Sequence, residues 1–212
     1  MNESSRPTLD QLAHREPVAE LWTDKRTRRD GDGNYVLHGY LPIYEREWSK
    51  WRDEPIRIME IGLNVGASVK LWMDYFTKAR IIGVDIADFK PRVEFSDPAR
   101  FKFVRGDAMD LGFWDKFRNE IEPERLDIII DDGAHSSGTI VAAFTAMWKH
   151  VKPGGYYVVE DLTEFLNPAS HTHGFPDQLM FSLSVLERTI MGHNDVDEAF
   201  VSKDLMMLRK KV

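Results

Sequence analysis

No cysteine occurs among the 212 residues, so the chain can form neither disulfides nor thiolate metal sites. No apolar run approaches the ~20 residues that a membrane-spanning helix needs. The first residues, Met-Asn-Glu-Ser-Ser, lack the basic and then apolar layout of a signal peptide. Together these absences lead us to expect a cytoplasmic protein with no membrane partner.

Positive charge is also in short supply. The 28 lysines and arginines are outnumbered by 35 aspartates and glutamates, which gives a formal net charge of −7. Because nucleic-acid binding requires a basic face, this balance argues against a nucleic-acid partner. The chain has no internal repeat and no low-complexity tract, and its 42% hydrophobic residues are enough for the core of one domain.

Apolar segments that end at acidic residues alternate with segments of helical periodicity. The predicted strands cover 56–61, 80–84, 101–105, 126–131 and 155–160, and the predicted helices cover 67–76, 111–121 and 137–150. Five such alternations predict a parallel sheet covered by helices on both faces. A helix at about 177–191 and a closing hairpin of 199–202 with 205–209 are expected to follow.

The residues before the first strand give weaker signals. A short helix should begin at Thr8, which would cap it, and apolar residues at helical spacing between 41 and 51 predict a second helix. Residues 24–34 are charged and rich in glycine, which predicts a solvated connector.

The first predicted strand runs into a glycine-rich turn that begins with Glu60 and Gly62. Its E-x-G-x-x-x-G spacing differs from the dinucleotide-binding fingerprint, and the Glu60 carboxylate would repel phosphate. This carboxylate can instead accept hydrogen bonds from the α-amino group of S-adenosylmethionine, which carries no phosphate. We therefore place Asn64 and Ser68 of the same turn among the cofactor-binding candidates. The alternative is a tight strand–helix turn without a ligand.

Two further acids end the next two strands. Asp85 lies 25 residues after Glu60, where an acid can bind both hydroxyls of a ribose. Asp107 follows the third strand, where it can accept a hydrogen bond from an adenine amino group. Each acid alone also suits a helix N-cap, but three acids at the ends of three successive strands favour a cofactor site.

The fourth and fifth strands each end in a pair of acids, Asp131 and Asp132 and then Glu160 and Asp161. If these strands are neighbours, their ends lie ~4.8 Å apart, and the gathered carboxylates would repel one another unless a cation joins them. Oxygen ligands favour Mg²⁺, with Mn²⁺ or Ca²⁺ as alternatives. Helix capping or cofactor binding is the competing role, and it applies most to Asp131 and Asp161.

A histidine, His135, follows Asp132 by three residues and should face the same cavity. Imidazole alone is a poor base for an alcohol, whose pKa lies far above ~6.5, but an alcohol bound to a cation is more acidic. Metal and histidine together would support SN2 transfer of a methyl group from a sulfonium to an acceptor oxygen. A lone histidine is, however, more often structural.

These motifs resemble those of a known family. The run 131–135 (Asp-Asp-Gly-Ala-His), the turn 60–62 and the run 153–161 are similar to the metal-dependent O-methyltransferases of macrolide sugars, of the macrocin and mycinamicin type. Residues 24–25, 38–40 and 44 also match, although Ala134 stands where the family often has serine. The resemblance spans roughly 24–162.

The resemblance implies a fold and a division of the chain. The fold is α/β, with a Rossmann-like, doubly wound, mostly parallel seven-stranded sheet of the class I methyltransferase type and a short N-terminal helical extension. We expect an N-terminal extension and cofactor-closing segment at 1–40 and the methyltransferase domain at 41–212.

The resemblance also implies roles for the site residues. Asp132, Glu160 and Asp161 would bind Mg²⁺, and His135 would be the general base. Asp131 would lie nearer the cofactor, and His38 and Tyr40 would help to close the cofactor site.

The leading hypothesis is therefore an S-adenosylmethionine- and Mg²⁺-dependent O-methyltransferase for a sugar hydroxyl of a glycosylated natural product or nucleotide sugar, as in antibiotic biosynthesis. The alternatives are a catechol-like phenol acceptor at the same metal site, or a non-catalytic S-adenosylmethionine-binding protein. A nicotinamide dehydrogenase is disfavoured by the glycine spacing. His171 and His173 belong either to an acceptor lid or to a loop without a function. The sequence names neither the acceptor nor the oligomeric state, and a homo-oligomer is left open.

Overall fold

The computed structural model describes residues 6–14, 25, 27–29, 35–162, 184, 195–202 and 204–212. The chain forms two compact units. The larger unit comprises 57–62, 82–88 and 103–212, and the smaller unit comprises 1–56, 63–81 and 89–102. Among the helices described, none has both the length and the apolar composition needed to cross a membrane.

The elements of the described residues are named here in chain order. They are α1 (Leu9–His14), β1 (Thr27–Arg29), β2 (Tyr35–Leu37), α2 (Tyr40–Trp48), β3 (Arg57–Ile61), α3 (Ala67–Tyr75), β4 (Arg80–Asp85), β5 (Phe101–Arg105), α4 (Leu111–Lys116), β6 (Leu126–Asp131), α5 (Ser137–Met147), β7 (Val151–Glu160), β8 (Val196–Val201) and β9 (Leu205–Lys210).

Seven of these strands form one sheet in the order β5-β4-β3-β6-β7-β9-β8. Strand β6 pairs in parallel with β3 and with β7, whereas β9 runs antiparallel to both β7 and β8. The strands β3, β4 and β5 follow one another toward one edge, and the chain then returns to place β6 on the other side of β3, as in a doubly wound fold. The predicted α/β class and the predicted C-terminal hairpin are confirmed.

The core of the larger unit surrounds the central strand β6. Ile128, Ile129 and Ile130 each have no exposed surface, as expected for a strand that is covered on both faces. Trp114 and Met147 pack in the cluster of buried side chains to which Ile129 belongs. Such a strand is held firmly in register, so the residues directly after it have well-defined positions.

The smaller unit contains α1, α2 and α3. Thr8 caps α1 as predicted: its hydroxyl accepts from the Gln11 amide at 3.3 Å, and the Gln11 side chain accepts from the Thr8 amide at 2.9 Å. Within α2, the rings of Tyr44 and Trp48 stack with centroids 4.2 Å apart, which confirms that this aromatic stripe is core packing.

The largest differences from the predicted boundaries are in β7 and α4. Strand β7 begins at Val151 instead of residue 155, because the apparent Pro153-Gly154 turn is an irregularity within the strand. Its register with β6 shifts there, and Gly154 has a φ of 74°. The predicted helix 111–121 is α-helical only to Lys116 and ends in a wider helical turn over Phe117–Ile121.

The prediction of a connector at 24–34 is wrong in part. Thr27–Arg29 forms β1 and pairs antiparallel with β2. The Gly-Asp-Gly-Asn sequence at 31–34 is typical of a hairpin connection. The charged residues around it are typical of a solvated connector, and the prediction followed them. The predicted helix at 177–191 lies outside the described residues except for Ser184, as do His171 and His173. The division at residues 40 and 41 stays a prediction.

Candidate metal and methyl-donor site

The ends of the neighbouring strands β6 and β7 bring two acids and a histidine together. Potential ligand atoms of Asp132, His135 and Asp161 all lie within 4.8 Å of one another. The Nε2 atom of His135 is 3.9 Å from Asp132 Oδ1 and 3.8 Å from Asp161 Oδ2. Asp132, Asp161 and His135 thus lie close to one another in the structure.

Hydrogen bonds to neighbouring strands fix the backbone on both sides of this group. The amide of Asp132 donates to the Ile61 carbonyl at 2.9 Å, which continues the pairing of β6 with β3 past the end of the strand. The amide of Leu162, directly after Asp161, donates to the Asp204 carbonyl at 3.2 Å. Backbone hydrogen bonds therefore fix the chain at or directly next to both Asp132 and Asp161.

The arrangement of Asp132 and Asp161 fits a divalent cation. The side chains of Asp132 and Asp161 are 15% and 24% exposed, so both are accessible from solvent. Oxygen ligands of Mg²⁺ at ~2.1 Å lie roughly 3 to 4 Å from one another, a span comparable to that of the cluster. Imidazole is not a preferred Mg²⁺ ligand, so His135 fits better beside the ion than on it.

One predicted metal ligand lies outside this group. Glu160 is the last residue of β7 and is buried, with 1% of its surface exposed. The residues whose potential ligand atoms lie close together are Asp132, His135 and Asp161, whereas the sequence predicted Glu160 as the third metal ligand. Glu160 therefore stays a predicted ligand that directly precedes Asp161.

The carboxyl group of Asp131 is buried and contacts the hydroxyl of Tyr157, which donates to Oδ2 at 3.3 Å. Burial raises the pKa of Asp131 to about 6, against the opposing effects of a hydrogen bond from the Gly133 amide and of nearby His135. The sequence analysis missed Tyr157. A usable signal existed, because a tyrosine in a fully buried strand must find a partner for its hydroxyl.

Besides Asp131, the larger unit contains four predicted methyl-donor residues, Glu60, Gly62, Asp85 and Asp107. Glu60 is fully buried in β3, and Gly62 has a φ of 84°. A Cβ on Gly62 would lie 2.2 Å from the Asp132 carbonyl oxygen, so only glycine permits this close approach of the two strand ends. Asp85 and Asp107 each accept from the backbone amide two residues later, at 2.9 Å and 2.8 Å.

Asp107 is not the N-cap of the helix that follows it. Helix α4 is capped by Asp110, whose side chain accepts from the Gly112 amide at 2.8 Å. Asp107 therefore does not cap α4, although one of its oxygens stabilises the preceding turn.

The remaining candidates lie in the smaller unit. The ring of His38 stacks on Tyr40 with centroids 4.4 Å apart. Asn64 is exposed and has a φ of 43°, and Ser68 is buried in the first turn of α3. Their assignment to the cofactor stays a prediction.

Two curated proteins share extended sequence similarity with the chain. Mycinamicin VI 2''-O-methyltransferase of Micromonospora griseorubida is 35% identical over 133 residues, 59% of this chain and 32% of that protein. The 8-demethyl-8-alpha-L-rhamnosyl tetracenomycin-C 2'-O-methyltransferase of Streptomyces olivaceus is 33% identical over 171 residues, 77% of this chain and 43% of that protein. The chain is related to the sugar O-methyltransferases.

This relationship, which confirms the predicted resemblance, extends to the fold. The solved structure of MycE methyltransferase in complex with Mg, SAH and mycinamycin VI matches with a TM-score of 0.76 and 28% identity, over 98% of this chain and 56% of that one. No protein-family profile matches the chain. The matched part of the chain corresponds to 32% and 43% of the lengths of the two curated sugar O-methyltransferases named above.

Proposed function

We propose that the protein is an S-adenosylmethionine- and Mg²⁺-dependent O-methyltransferase for a sugar hydroxyl of a glycosylated natural product or nucleotide sugar. The observation that carries the proposal is the approach of Asp132, Asp161 and His135 at the ends of two neighbouring strands. The related proteins named as sugar O-methyltransferases, and the MycE complex with Mg and SAH, support it.

The metal would be held by Asp132 and Asp161, with Glu160 as the third carboxylate. Their oxygens suit Mg²⁺, and Mn²⁺ or Ca²⁺ would also accept them. When bound, a divalent cation supplies Lewis acidity that lowers the pKa of a coordinated hydroxyl.

The general base would be His135. Its Nε2 atom would accept the proton that the acceptor hydroxyl loses while the acceptor oxygen takes the methyl group. The protonated imidazole is then stabilised by the adjacent carboxylates. Methyl transfer converts the positively charged sulfonium of the donor into a neutral thioether. The positive charge is then carried by His135, which has gained the proton of the acceptor hydroxyl.

The methyl donor would be bound in the larger unit by Glu60, Gly62, Asp85, Asp107 and Asp131. For His38, Tyr40, Asn64 and Ser68, a role in cofactor binding stays a prediction from the sequence. The acceptor would be a small hydroxylated molecule. We propose a sugar because the related proteins are named as sugar O-methyltransferases. A cytoplasmic location stays a prediction.

An acceptor panel with metal removal tests the proposal. Purified protein is incubated with S-adenosylmethionine and either a glycosylated macrolide, a nucleotide sugar or a catechol, with and without EDTA. We expect methylation of a sugar acceptor that EDTA abolishes and Mg²⁺ restores. The variant His135→Ala should lower kcat by about 10²- to 10⁴-fold and leave SAH binding by calorimetry unchanged.

The controls separate the alternatives. Asp132→Asn should lose Mg²⁺-dependent activity, whereas Asp197→Asn on the edge strand β8 removes the same charge and should keep it. Methylation of the catechol alone would favour a phenol acceptor. Binding of SAH without turnover of any acceptor would favour a non-catalytic protein, and full activity of His135→Ala in EDTA would contradict the mechanism.

A further inference from the structure

A buried hydroxyl–carboxylate pair lies in β6 and β7, the two strands whose ends carry the proposed metal ligands. Tyr157 of β7 has no exposed surface, and its hydroxyl donates to Asp131 Oδ2 at 3.3 Å. In the β6–β7 register Tyr157 is opposite Ile129, and Asp131 is opposite Val159. Tyr157 and Asp131 therefore share one face of the sheet, where the long tyrosine side chain reaches diagonally along the neighbouring strand.

The tyrosine ring is held in place by the core. Phe144 of α5 meets it edge to face, with centroids 5.1 Å apart, and Tyr157 belongs to the buried cluster of the larger unit. An edge-to-face aromatic contact fixes the ring plane as well as its position. The hydroxyl is consequently presented to Asp131 by a rigid support.

On its other side, Asp131 is joined to the turn that follows β6. The Gly133 amide donates a hydrogen bond to the Asp131 carboxylate. A Cβ on Gly133 would lie 3.5 Å from Asp131 Oδ1, which shows how closely the turn folds over this carboxylate. One carboxylate thus connects β7, through Tyr157, with the backbone between Asp132 and His135.

We propose that Tyr157 and Asp131 are positioning residues that fix the turn carrying Asp132 and His135 relative to Asp161. This inference rests on the proposed function. The turn requires such an anchor because His135 adopts a left-handed backbone with a φ of 47°, which costs roughly 1–2 kcal/mol for a non-glycine residue. Without the Tyr157 hydroxyl the turn can relax, and the two acids and the histidine separate.

The test removes one oxygen atom. Tyr157→Phe leaves the ring in the core, so the variant should fold, and a melting curve checks this. Binding of Mn²⁺, followed by electron paramagnetic resonance without substrate, is expected to weaken about 10- to 100-fold. With substrate, kcat should fall by a similar factor while KM for S-adenosylmethionine changes less than about 3-fold, a split that general destabilisation would not produce.

A matched control exists in the smaller unit. Tyr75 also donates to a carboxylate, Glu45 Oε1, at 2.9 Å. Tyr75→Phe therefore removes the same kind of hydrogen bond from residues that are not proposed to bind either cofactor. It should leave Mn²⁺ binding and kcat unchanged.

A double variant examines whether the pair acts as one unit. Asp131→Ala should weaken Mn²⁺ binding, and adding Tyr157→Phe should weaken it no further. Wild-type Mn²⁺ affinity and kcat in Tyr157→Phe, or additive losses in the double variant, would overturn the inference and leave the proposed function intact. Absence of Mn²⁺ binding to the wild-type protein would overturn both.

Discussion

Left-handed backbone at non-glycine positions coincides with residues that the sequence analysis assigned to function. Within the described residues, positive φ outside glycine occurs at Asn64, His135 and Asp161. They are a predicted cofactor residue, the predicted general base and a predicted metal ligand. Such conformations cost of order 1–3 kcal/mol and persist only where the surroundings hold them. The strain is what one expects where the fold places side chains for chemistry at some cost in stability.

Gly62 allows a direct prediction at this scale. An alanine there must adopt a φ of 84° and place its Cβ 2.2 Å from the Asp132 carbonyl oxygen, a backbone atom that cannot rotate away. Gly62→Ala should lower the free energy of unfolding, measured in urea, by about 3 kcal/mol or more.

Gly39 supplies the control for this experiment. Its φ is 79°, but a Cβ built there meets nothing within 4 Å. Gly39→Ala should therefore cost only the conformational strain, roughly 1 kcal/mol. Equal losses in the two variants would mean that the close approach of the strand ends contributes nothing.

Residue types could be read from the sequence, whereas side-chain partners could not. Acids and a histidine after apolar runs predicted His135, Asp132 and Asp161 as neighbours because parallel strands end at one edge of a sheet. The contact of Tyr157 with Asp131 depends on the register of two strands, which no local pattern specifies.

Among the elements, two strands were predicted with the bounds that the structure has. The predicted ranges 101–105 and 126–131 coincide with β5 and β6. In β6, a buried apolar run bounded by polar residues defines its own ends. The start of β7 was missed, since Pro153 and Gly154 are typical of turns and only tertiary pairing carries the strand through them.

The beginning of β3 depends on a buried ion pair that the sequence did not indicate. Arg57 pairs with Glu122, just after the turn that ends α4, and their side chains are 12% and 8% exposed. Glu122→Ala should lower the free energy of unfolding by about 3 kcal/mol, because the guanidinium loses its buried partner.

A second glutamate that pairs with Arg57 provides the control for this prediction. Glu124 also pairs with Arg57, at 2.7 Å, but its side chain is 72% exposed. Glu124→Ala should change the free energy of unfolding by less than about 0.5 kcal/mol. A ranking in which the exposed glutamate matters more would refute this assignment.

For the molecule as a whole, one buried histidine predicts sensitivity to acid. The Nε2 atom of His150 lies 2.9 Å from the Glu122 carbonyl oxygen, and burial lowers its pKa from 6.5 to about 4, assisted by Arg118 and Arg125. Between these pH values the unfolded chain binds more protons than the folded one. Stability should therefore fall as the pH drops from 6.5 to 4, by up to about 3 kcal/mol.

Chemical unfolding at several pH values measures this effect. In His150→Gln, which keeps a neutral donor near the Glu122 carbonyl, the free energy of unfolding should vary less across the same window. An unchanged pH dependence in this variant would assign the acid sensitivity to other groups.

At the level of the whole chain, the doubly wound sheet followed from the alternation of strands and helices, and its seven strands followed from the family resemblance. The acceptor did not follow from either. The chain spans less than half of the curated relatives reported above, and the stretch after Leu162 gave no clear motif. Acceptor choice depends on loop geometry, for which hydrophobic periodicity carries no information.

The central claim is that Asp132 and Asp161 share a divalent cation beside His135 and a bound methyl donor. A crystal grown with S-adenosylhomocysteine and Mn²⁺, measured at the manganese absorption edge, tests it most directly. We predict an anomalous peak within ~2.5 Å of carboxylate oxygens of both residues, with the imidazole of His135 facing the space between the metal and the cofactor sulfur. A saturated crystal with manganese elsewhere, or with His135 turned away, would contradict the account.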